Sequence, residues 1–285
     1  MQNFNYHQHT YRCKHADFNM TDEEYVQEYI KMGLKEMAFT DHCPQKNQVD
    51  VRTKMRMEYD QRIEYLQSIE TLKKKYEGQI KIKSGYEFEY LPDQEDNIKQ
   101  LKSESDIMIQ GQHFVYDKDN NLKIIRKNIP FFDDEILTYA NYIEKAIEMG
   151  FTDIIAHPDL YMQSREKFGE VEEKVANRIC AIAEKYNIPL EINLNNIFCK
   201  TYFDYPNKKY NPYKPVEEYL TQLDEISYPC RGFWNVASKY NVKVLYGVDS
   251  HFGGQIQLFK ELIFLANEII GKDVIEKLNF IENVK

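Results

Sequence analysis

Apolar and polar positions along the chain alternate between short strand-like runs and longer stretches with helical spacing. Within residues 53–77, the apolar residues that recur at helical spacing are Met57, Ile63, Leu66, Ile69 and Leu72. The strand-like runs are 4–9, 36–41, 79–90, 106–115, 152–158, 188–193 and 242–249. Because helical stretches separate most of these runs, the pattern predicts an α/β fold with a parallel sheet, either doubly wound or closed into a barrel.

Capping residues and glycines mark the ends of the predicted helices. Thr21 and Glu24 form a capping-box pair that opens the first helix, which is expected to end near Gly33. The later helical stretches are 53–77, 133–149, 166–187, 215–225, 231–241 and 257–283, the last with a break at Gly271. No G-x-G-x-x-G or Walker-type glycine loop follows a strand. We therefore favour one barrel domain of about seven β/α units, residues 1–285, over a nucleotide-binding sheet.

One irregular stretch interrupts this pattern. Residues 201–215, "TYFDYPNKKYNPYKP", contain four tyrosines, three prolines and three lysines. So many turn-forming residues predict a loop, which we place on the side of the sheet where the strands end. Such a loop is either a lid over an active site or a packed surface loop.

Charge and targeting signals narrow the classes of function. The net charge is −9, from 37 basic and 46 acidic residues, which argues against a general nucleic-acid binder. No run of about 18 apolar residues is present, so no membrane-spanning helix is expected. The first residues lack the basic and apolar regions of a signal peptide, so we expect a cytoplasmic protein. The five cysteines are odd in number and form no C-x-x-C pair, which indicates reduced thiols.

The histidines are few, and all but one fall on or directly after a predicted strand. The chain has only seven: His7, His9, His15, His42, His113, His157 and His251. Carboxylates fall at similar places, namely Glu87, Glu89, Glu191 and Asp249. The carboxyl ends of the strands of a parallel barrel meet on one face, where active sites lie. Imidazole and carboxylate suit zinc, manganese, iron or nickel, and this set is larger than one ion can bind. We therefore predict a metal cluster.

Several of these residues have a simpler explanation when taken singly. A lone histidine at a strand end is more often a structural hydrogen-bonding group than a ligand, whereas His7 and His9, two apart on a strand, point the same way and can bind one ion. Glu89 and Glu191 fit an outer position or a solvated one as well as direct ligation. Cys13 and Cys43 lie beside candidate ligands and would suit zinc, but small buried thiols are the better explanation for both.

In this order, the motifs resemble those of the PHP superfamily, named for polymerase and histidinol phosphatase. They are H-x-H-T at 7–10 with His15 behind it, "TDH" at 40–42, "GYE" at 85–87, "GQH" at 111–113, "AHP" at 156–158 and "DSH" at 249–251. Each motif is weak alone, but the ordered set is specific and spans nearly the whole chain. Within the superfamily the chain is most similar to the stand-alone histidinol-phosphate phosphatases.

The resemblance implies a distorted (β/α)₇ barrel with three divalent metal ions, zinc, manganese or iron. One ion would bind His7, His9, Glu87 and Asp249. A second would bind His113 and His157 and share Glu87, and a third would bind His15, His42 and His251. The glutamate two residues after the glycine is the family's ligand, which selects Glu87 over Glu89.

The same resemblance implies the chemistry. A hydroxide that bridges two ions would attack the phosphorus of a small phosphate ester. Asp249 or His251 would assist the leaving alcohol, and Asp41, Asp17 or Glu89 would orient the imidazoles. For substrate binding we expect Arg165 first, then Arg12, because arginine forms a bidentate fork to phosphate. Asn193 matches a family position, but it is followed by "LNNIF", where the phosphatases often have a small residue and glycine.

The predicted function is hydrolysis of L-histidinol phosphate in histidine biosynthesis. The alternatives are a PHP phosphoesterase for another small ester, such as a nucleoside monophosphate or sugar phosphate, a DNA-processing PHP exonuclease, a non-catalytic module tied to a polymerase, and a protein that stores or senses metal. We expect a small phosphorylated substrate, no stable nucleic-acid partner and no membrane association. The sequence leaves the oligomeric state open.

Overall fold

The computed structural model describes residues 2–46, 51–204, 209–210, 219, 223 and 226–281. Most of the tyrosine-rich loop predicted for 201–215, and most of the helix predicted for 215–225, lie outside these residues. The choice between a lid and a packed surface loop for this stretch therefore stays open.

The central sheet has eight strands, and all of its pairings are parallel. Their hydrogen-bonded order is β1 (Phe4–Asn5), β2 (Glu36–His42), β3 (Lys81–Phe88), β4 (Ile107–Gln110), β7 (Ile154–Ile155), β8 (Leu190–Asn193), β11 (Lys243–Gly247) and β12 (Asn279–Phe280). Two small antiparallel hairpins lie outside the sheet, β5 (Phe114–Tyr116) with β6 (Leu122–Ile124) and β9 (Phe203–Asp204) with β10 (Lys209–Tyr210). All seven predicted strands are therefore present, and the α/β fold class is confirmed.

The two ends of this sheet approach each other where β1 and β11 finish. Gln8, just beyond β1, forms a parallel bridge with Ser250, just beyond β11. The N–H of His9 donates to the Ser250 carbonyl at 2.9 Å, and the side-chain oxygen of Asn5 accepts from the Val248 N–H at 2.9 Å. The seam between the first and the seventh predicted strand is thus formed by one bridge and side chains instead of a continuous ladder, as expected of a distorted barrel.

Helices cover the outer face of the sheet. Their bounds are α1 (Asp22–Lys31), α2 (Gln61–Lys75), α3 (Glu95–Ser103), α4 (Asp133–Glu148), α5 (Glu170–Tyr186), α6 (Asn195–Thr201), α7 (Arg231–Ala237), α8 (Phe259–Ile270) and α9 (Lys272–Ile275). The predicted capping box is confirmed, since the Glu24 N–H donates to the Thr21 hydroxyl and the Thr21 N–H donates to the Glu24 carboxylate. No helix in the described ranges is long and apolar enough to span a bilayer.

The carboxyl-terminal stretch corrects one prediction. Residues 257–283 were expected to be helical with a break at Gly271, and a break is present there at φ 92°. The helix after it ends at Ile275, however, and Asn279–Phe280 pair with β11 as an eighth strand. The sequence pattern of this stretch is helical, but two of its residues pair with the sheet instead. Their pairing gives hydrogen-bond partners to backbone groups at an edge of the sheet that would otherwise be exposed.

Alternation along the strands sorts apolar and site residues to different faces. On β3, Tyr86 and Phe88 pack into the large core between the sheet and the helices. Glu87 therefore lies on the opposite, inner face. A smaller apolar cluster, which includes Phe4, Ile109 and Leu245, belongs to that inner face. The charged side chains of the inner face therefore lie at the carboxyl ends of the strands, next to this smaller apolar cluster.

Candidate metal centre

The structure brings all seven histidines together where the strands of the sheet end. His7 and His9 extend β1, His42 is the last residue of β2, and His251 follows β11. His113 follows β4 and His157 follows β7. His15 comes from the loop after a 3₁₀ turn at Tyr11–Cys13. The imidazole rings of His9 and His251 are stacked, with centroids 4.0 Å apart.

The Glu87 carboxylate lies at the centre of this cluster. It is 1% exposed, so its oxygens face only protein groups. The ring nitrogens near its Oε1 are those of His157 at 2.7 Å, His7 at 3.5 Å and His113 at 3.6 Å. Those near its Oε2 are His42 at 2.9 Å and His9 at 3.5 Å. One carboxylate therefore presents each of its two oxygens to a different group of imidazoles.

Asp249 closes the other side of the cluster. Its backbone has φ 49°, in the left-handed region that non-glycine residues rarely adopt. Its Oδ1 lies 3.1 Å from His9 Nε2, 3.5 Å from His7 Nε2 and 3.3 Å from His251 Nδ1. Glu87 and Asp249 thus share the His7 and His9 pair.

His15 and His251 face each other in a way that suits a cation between them. The Nδ1 of His15 lies 2.8 Å from the Cys13 carbonyl, and the Nδ1 of His251 lies 3.0 Å from the Asp249 carbonyl. Carbonyl oxygens only accept, so both Nδ1 atoms carry the hydrogen and both Nε2 atoms of the neutral rings hold lone pairs. These two Nε2 atoms are 2.9 Å apart. A metal ion bound by both would remove the repulsion between the lone pairs.

Three carboxylates support the imidazoles from behind. Glu191 lies 2.9 Å from His7 Nδ1, Glu89 lies 3.0 Å from His113 Nδ1, and Asp41 lies 3.5 Å from His9 Nδ1. Carboxylates in this position fix the tautomer of a metal-binding histidine. Of the three residues expected to orient imidazoles, Glu89 and Asp41 are so placed, whereas the Asp17 carboxylate accepts from the Asn19 N–H.

Charges within the cluster determine the protonation of its members. Burial raises the pKa of the Glu87 carboxyl, but the surrounding imidazoles outweigh burial and hold that pKa well below its usual value. Burial lowers the pKa of His42 to about 3, which keeps its ring neutral. Burial also lowers the pKa of His9, but Asp249 and Asp41 outweigh it and raise that pKa to about 9. The site thus pairs ionised carboxylates with imidazoles and attracts positive charge, whether protons or metal ions.

The residues present fit a group of divalent ions. Some of the short contacts within this cluster, such as His42 Nδ1 to Glu87 Oε2 at 2.9 Å, lack the geometry of a hydrogen bond. Within the described residues, seven buried polar atoms of the cluster therefore have no hydrogen-bond partner: His7 Nε2, His9 Nδ1, His9 Nε2, His42 Nδ1, Glu87 Oε2, His157 Nδ1 and Asp249 Oδ1. Buried polar atoms without partners are costly, so a cluster of them indicates a site that binds cations. Sets of three candidate ligand atoms lie within 4.8 Å of one another, among them His7–His9–Asp249, His7–Glu87–His157 and His15–His42–His251.

Two glycines make room for carboxylates of this site. A Cβ at Gly111 would lie 1.9 Å from Glu87 Oε1, and a Cβ at Gly247 would lie 2.1 Å from Glu191 Oε2. Any side chain at either position would therefore displace a carboxylate. This close packing explains why the first residue of the "GQH" motif is a glycine.

A cavity of about 670 Å³ opens over the cluster, a size suited to a small molecule. Its wall includes Lys54, Arg126, Gln163, Asn195 and Tyr228. Lys54 and Arg126 are exposed, and neither has an ion-pair partner among the residues that the structure describes. Neither residue could be identified from the sequence, because no local sequence pattern distinguishes them from the other 35 basic residues.

The arginines predicted to bind phosphate are engaged elsewhere. The Arg12 guanidinium is 3% exposed and lies between the carboxylates of Asp22 and Glu64, at 2.8 Å and 2.7 Å. The Arg165 guanidinium donates to Glu172, to Asp133 and to the Phe131 carbonyl. Neither side chain lines the cavity. Nearby carboxylates bind both guanidinium groups away from the cavity, and for this reason neither arginine reaches the histidines.

Asn193 also differs from its predicted role. Its side-chain N–H groups donate to Glu191 at 2.7 Å and to Asp249 at 3.2 Å, and its oxygen accepts from the Asn195 N–H. The amide is buried and does not line the cavity. Asn193 therefore positions two carboxylates of the site, and its neighbour Asn195 reaches the cavity instead.

We expect Arg165→Ala to leave KM for a phosphomonoester within about twofold of the wild-type value. Its charge is balanced by Glu172 and Asp133, so removing it should lower the free energy of unfolding by about 1 kcal/mol. Steady-state kinetics and urea unfolding test this expectation. A KM increase of tenfold or more would return Arg165 to the substrate site.

Comparison with known proteins identifies a family and several relatives of this chain. A family model for the PHP domain matches residues 5–195. A Deinococcus radiodurans protein described as a probable histidinol-phosphatase is 24% identical over 94% of each chain. The histidinol-phosphatase of Bacillus subtilis is 34% identical over 101 residues, which cover 34% of this chain and 37% of its own.

A solved structure has the same fold. Histidinol phosphate phosphatase from Lactococcus lactis, in complex with zinc, L-histidinol and phosphate, superposes with a TM-score of 0.63 and 19% identity. The match covers 98% of this chain and 95% of that one.

Proposed function

Because the chain belongs to the PHP domain family, we propose that it is a metal-dependent phosphomonoesterase that hydrolyses L-histidinol phosphate to L-histidinol and phosphate. The observation that carries the proposal is the buried Glu87 carboxylate, which five imidazoles surround. It lies below a cavity whose wall includes the cationic side chains of Lys54 and Arg126. The description of the Deinococcus radiodurans relative, which matches over 94% of each chain, supports the choice of substrate. The proposed ligand sets are those given above, for three divalent ions.

The ions would supply two kinds of chemistry when bound, polarisation of the phosphoryl oxygens and a lowered pKa of water near phosphorus. The chain's own residues do the rest. Glu87 and Asp249 provide the negative charge that retains cations, and Glu191 and Glu89 hold two of the imidazoles in place. In the reaction a water oxygen bonds to phosphorus, the bond from phosphorus to the alcohol oxygen breaks, and the alcohol takes a proton. That proton comes from the attacking water, and we assign its transfer to the alcohol to Asp249 or His251, which both line the cavity.

Lys54 and Arg126 are the proposed phosphate-binding groups. Both line the cavity, and arginine binds two phosphate oxygens at once. Each also supplies positive charge where the phosphoryl group gains negative charge in the transition state.

We expect Arg126→Ala to raise KM for histidinol phosphate by about tenfold or more, since it removes one charge-assisted hydrogen bond to substrate. Arg165→Ala is the matched control, since that guanidinium lies outside the cavity. Steady-state kinetics measures both variants. An unchanged KM in Arg126→Ala would contradict the phosphate-binding assignment.

A substrate screen tests the function itself. Phosphate release is measured for the zinc- or manganese-loaded protein with histidinol phosphate, a nucleoside monophosphate, a sugar phosphate and single-stranded DNA. We expect the highest kcat/KM with histidinol phosphate. A clear preference for another small ester would overturn the substrate but keep the reaction class, whereas release of nucleotides from DNA would overturn both.

A further inference from the structure

A backbone N–H fixes the direction of a hydrogen-bond chain beside the cavity. Gln255 is completely buried, and its side-chain oxygen accepts from the His251 N–H at 2.9 Å. A backbone N–H only donates, so the other branch of the Gln255 amide is its NH₂ group. This NH₂ group donates to the Val248 carbonyl and to the Asn195 side chain, at 3.3 Å in each case. The atom of Asn195 that faces Gln255 must therefore be its acceptor, Oδ1.

The same chain leaves the side-chain donors of Asn195 without a protein partner. The Oδ1 of Asn195 also accepts from the Cys199 thiol at 3.5 Å, and the Asn195 N–H donates to the Asn193 side chain. Its Nδ2 has no hydrogen-bond partner among the residues that the structure describes. Asn195 is half-buried and lines the cavity. Two N–H donors of fixed orientation can therefore bind a molecule in the cavity.

Asn195 and the proposed phosphate-binding cations come from different parts of the sheet. Lys54 lies between β2 and β3 in the chain, Arg126 follows β6, and Asn195 follows β8. In the sheet β8 lies next to β11, which Asp249 and His251 follow. Because these two residues are assigned to the leaving alcohol, the alcohol half of the substrate would lie on the side of β8 and β11. The phosphate would then face the cations.

Two aromatic side chains of the cavity come from the same part of the chain. Tyr228 precedes β11, and its ring lies 6.2 Å from that of His157 in a T-shaped arrangement. Phe252 follows β11, and its ring stacks on that of Phe198 with centroids 6.1 Å apart. Both Tyr228 and Phe252 line the cavity. Aromatic walls and an oriented amide suit a planar ring that accepts a hydrogen bond.

We propose that Asn195 binds the imidazole of histidinol phosphate, with its Nδ2 donating to the ring nitrogen that carries no hydrogen. The inference rests on the proposed function and assigns the binding site of the alcohol half. Above pH 7 most of the substrate imidazole is neutral, so one of its nitrogens is an acceptor. A site built around such a hydrogen bond rejects a similar ring that has no acceptor, because its own donors are then left unpaired.

Two esters that differ only in the ring test this assignment. L-Histidinol phosphate and the phosphate ester of L-phenylalaninol have the same amino alcohol, but the phenyl ring has no acceptor nitrogen. Steady-state kinetics at pH 8 compares them in the zinc-loaded wild type and in Asn195→Leu, which keeps the approximate size and removes the donors. We expect Asn195→Leu to lower kcat/KM for histidinol phosphate by about tenfold or more and to leave that for the phenylalaninol ester within about twofold.

Asn196 provides a matched control on the same helix. It is buried, its side-chain oxygen accepts from the Ser227 N–H at 3.2 Å, and it does not line the cavity. Asn196→Asp keeps this acceptor and should leave the ratio of the two kcat/KM values unchanged. Equal losses with both esters in Asn195→Leu, or no loss with either, would overturn the assignment and leave the proposed function standing.

Binding of the two free alcohols separates this inference from the proposed function. Calorimetric titration of the zinc-loaded wild type should show L-histidinol bound at least about tenfold more tightly than L-phenylalaninol. Equal Kd values, or tighter binding of L-phenylalaninol, would overturn the assignment even if Asn195→Leu does not fold. If the wild type hydrolyses neither ester, the proposed function fails and the Kd of L-histidinol decides this inference. A Kd raised about tenfold or more in Asn195→Leu would support it, whereas an unchanged Kd or no binding to the wild type would overturn it.

Discussion

Glu87→Gln is expected to lower kcat for a phosphomonoester by about 10³-fold or more and to reduce the number of bound ions. Glutamine keeps the size of the side chain but removes the charge that five imidazoles surround. Without that charge, cations near both Oε1 and Oε2 lose a shared ligand. A loss of several kcal/mol of transition-state stabilisation corresponds to this change in rate. Phosphate release and metal analysis on the same preparation measure the two effects.

Two glutamate variants make that experiment specific. Glu89→Gln removes a charge two residues away that contacts His113 and Arg56, so an intermediate loss of about 10- to 100-fold is expected. Glu148→Gln changes an exposed residue at the end of α4 and should have no effect on either measurement. If Glu87→Gln and Glu89→Gln lost activity equally and kept all their ions, Glu87 would not be the shared ligand.

The histidine cluster could be predicted from the sequence because imidazole is rare in this chain and falls at strand ends. The fold rule that collects the carboxyl ends of parallel strands then brought residues 7 and 251 to one place. The choice of Glu87 over Glu89 also agrees with the geometry, since β3 directs Glu87 into the cluster while Glu89 contacts His113 from behind and an ion pair with Arg56 holds it.

The groups that surround the cluster could not be predicted in the same way. Arg12 and Arg165 were expected at the substrate, but whether an arginine is free depends on carboxylates that the fold brings to it, such as Glu64, 52 residues from Arg12. Arg126 and Lys54 reach the cavity from connecting segments, one of them just after the β5–β6 hairpin. Local patterns carry no information on such long-range pairing, so ion pairs and cavity walls need coordinates.

Gly111→Ala is expected to lower activity by about 10²-fold or more without touching any ligand. The added Cβ would lie 1.9 Å from Glu87 Oε1 and 2.6 Å from its Cδ, far closer than atoms can approach. The backbone cannot retreat easily, because the Gly111 N–H donates to the Phe88 carbonyl at 3.0 Å. The Glu87 carboxylate must therefore move, and metal analysis together with phosphate release should show lost ions and a lower kcat.

A double mutant separates this mechanism from general damage to the fold. If Gly111→Ala acts only through the carboxylate, combining it with Glu87→Gln should lower kcat no further than Glu87→Gln alone, since changes that act through one group are not additive. Gly169→Ala is the matched control, because its Cβ would lie 3.2 Å from Glu172 Oε2, away from the cluster, and activity should stay at the wild-type level. Additive losses in the double mutant would show that Gly111 supports the site by a route other than Glu87.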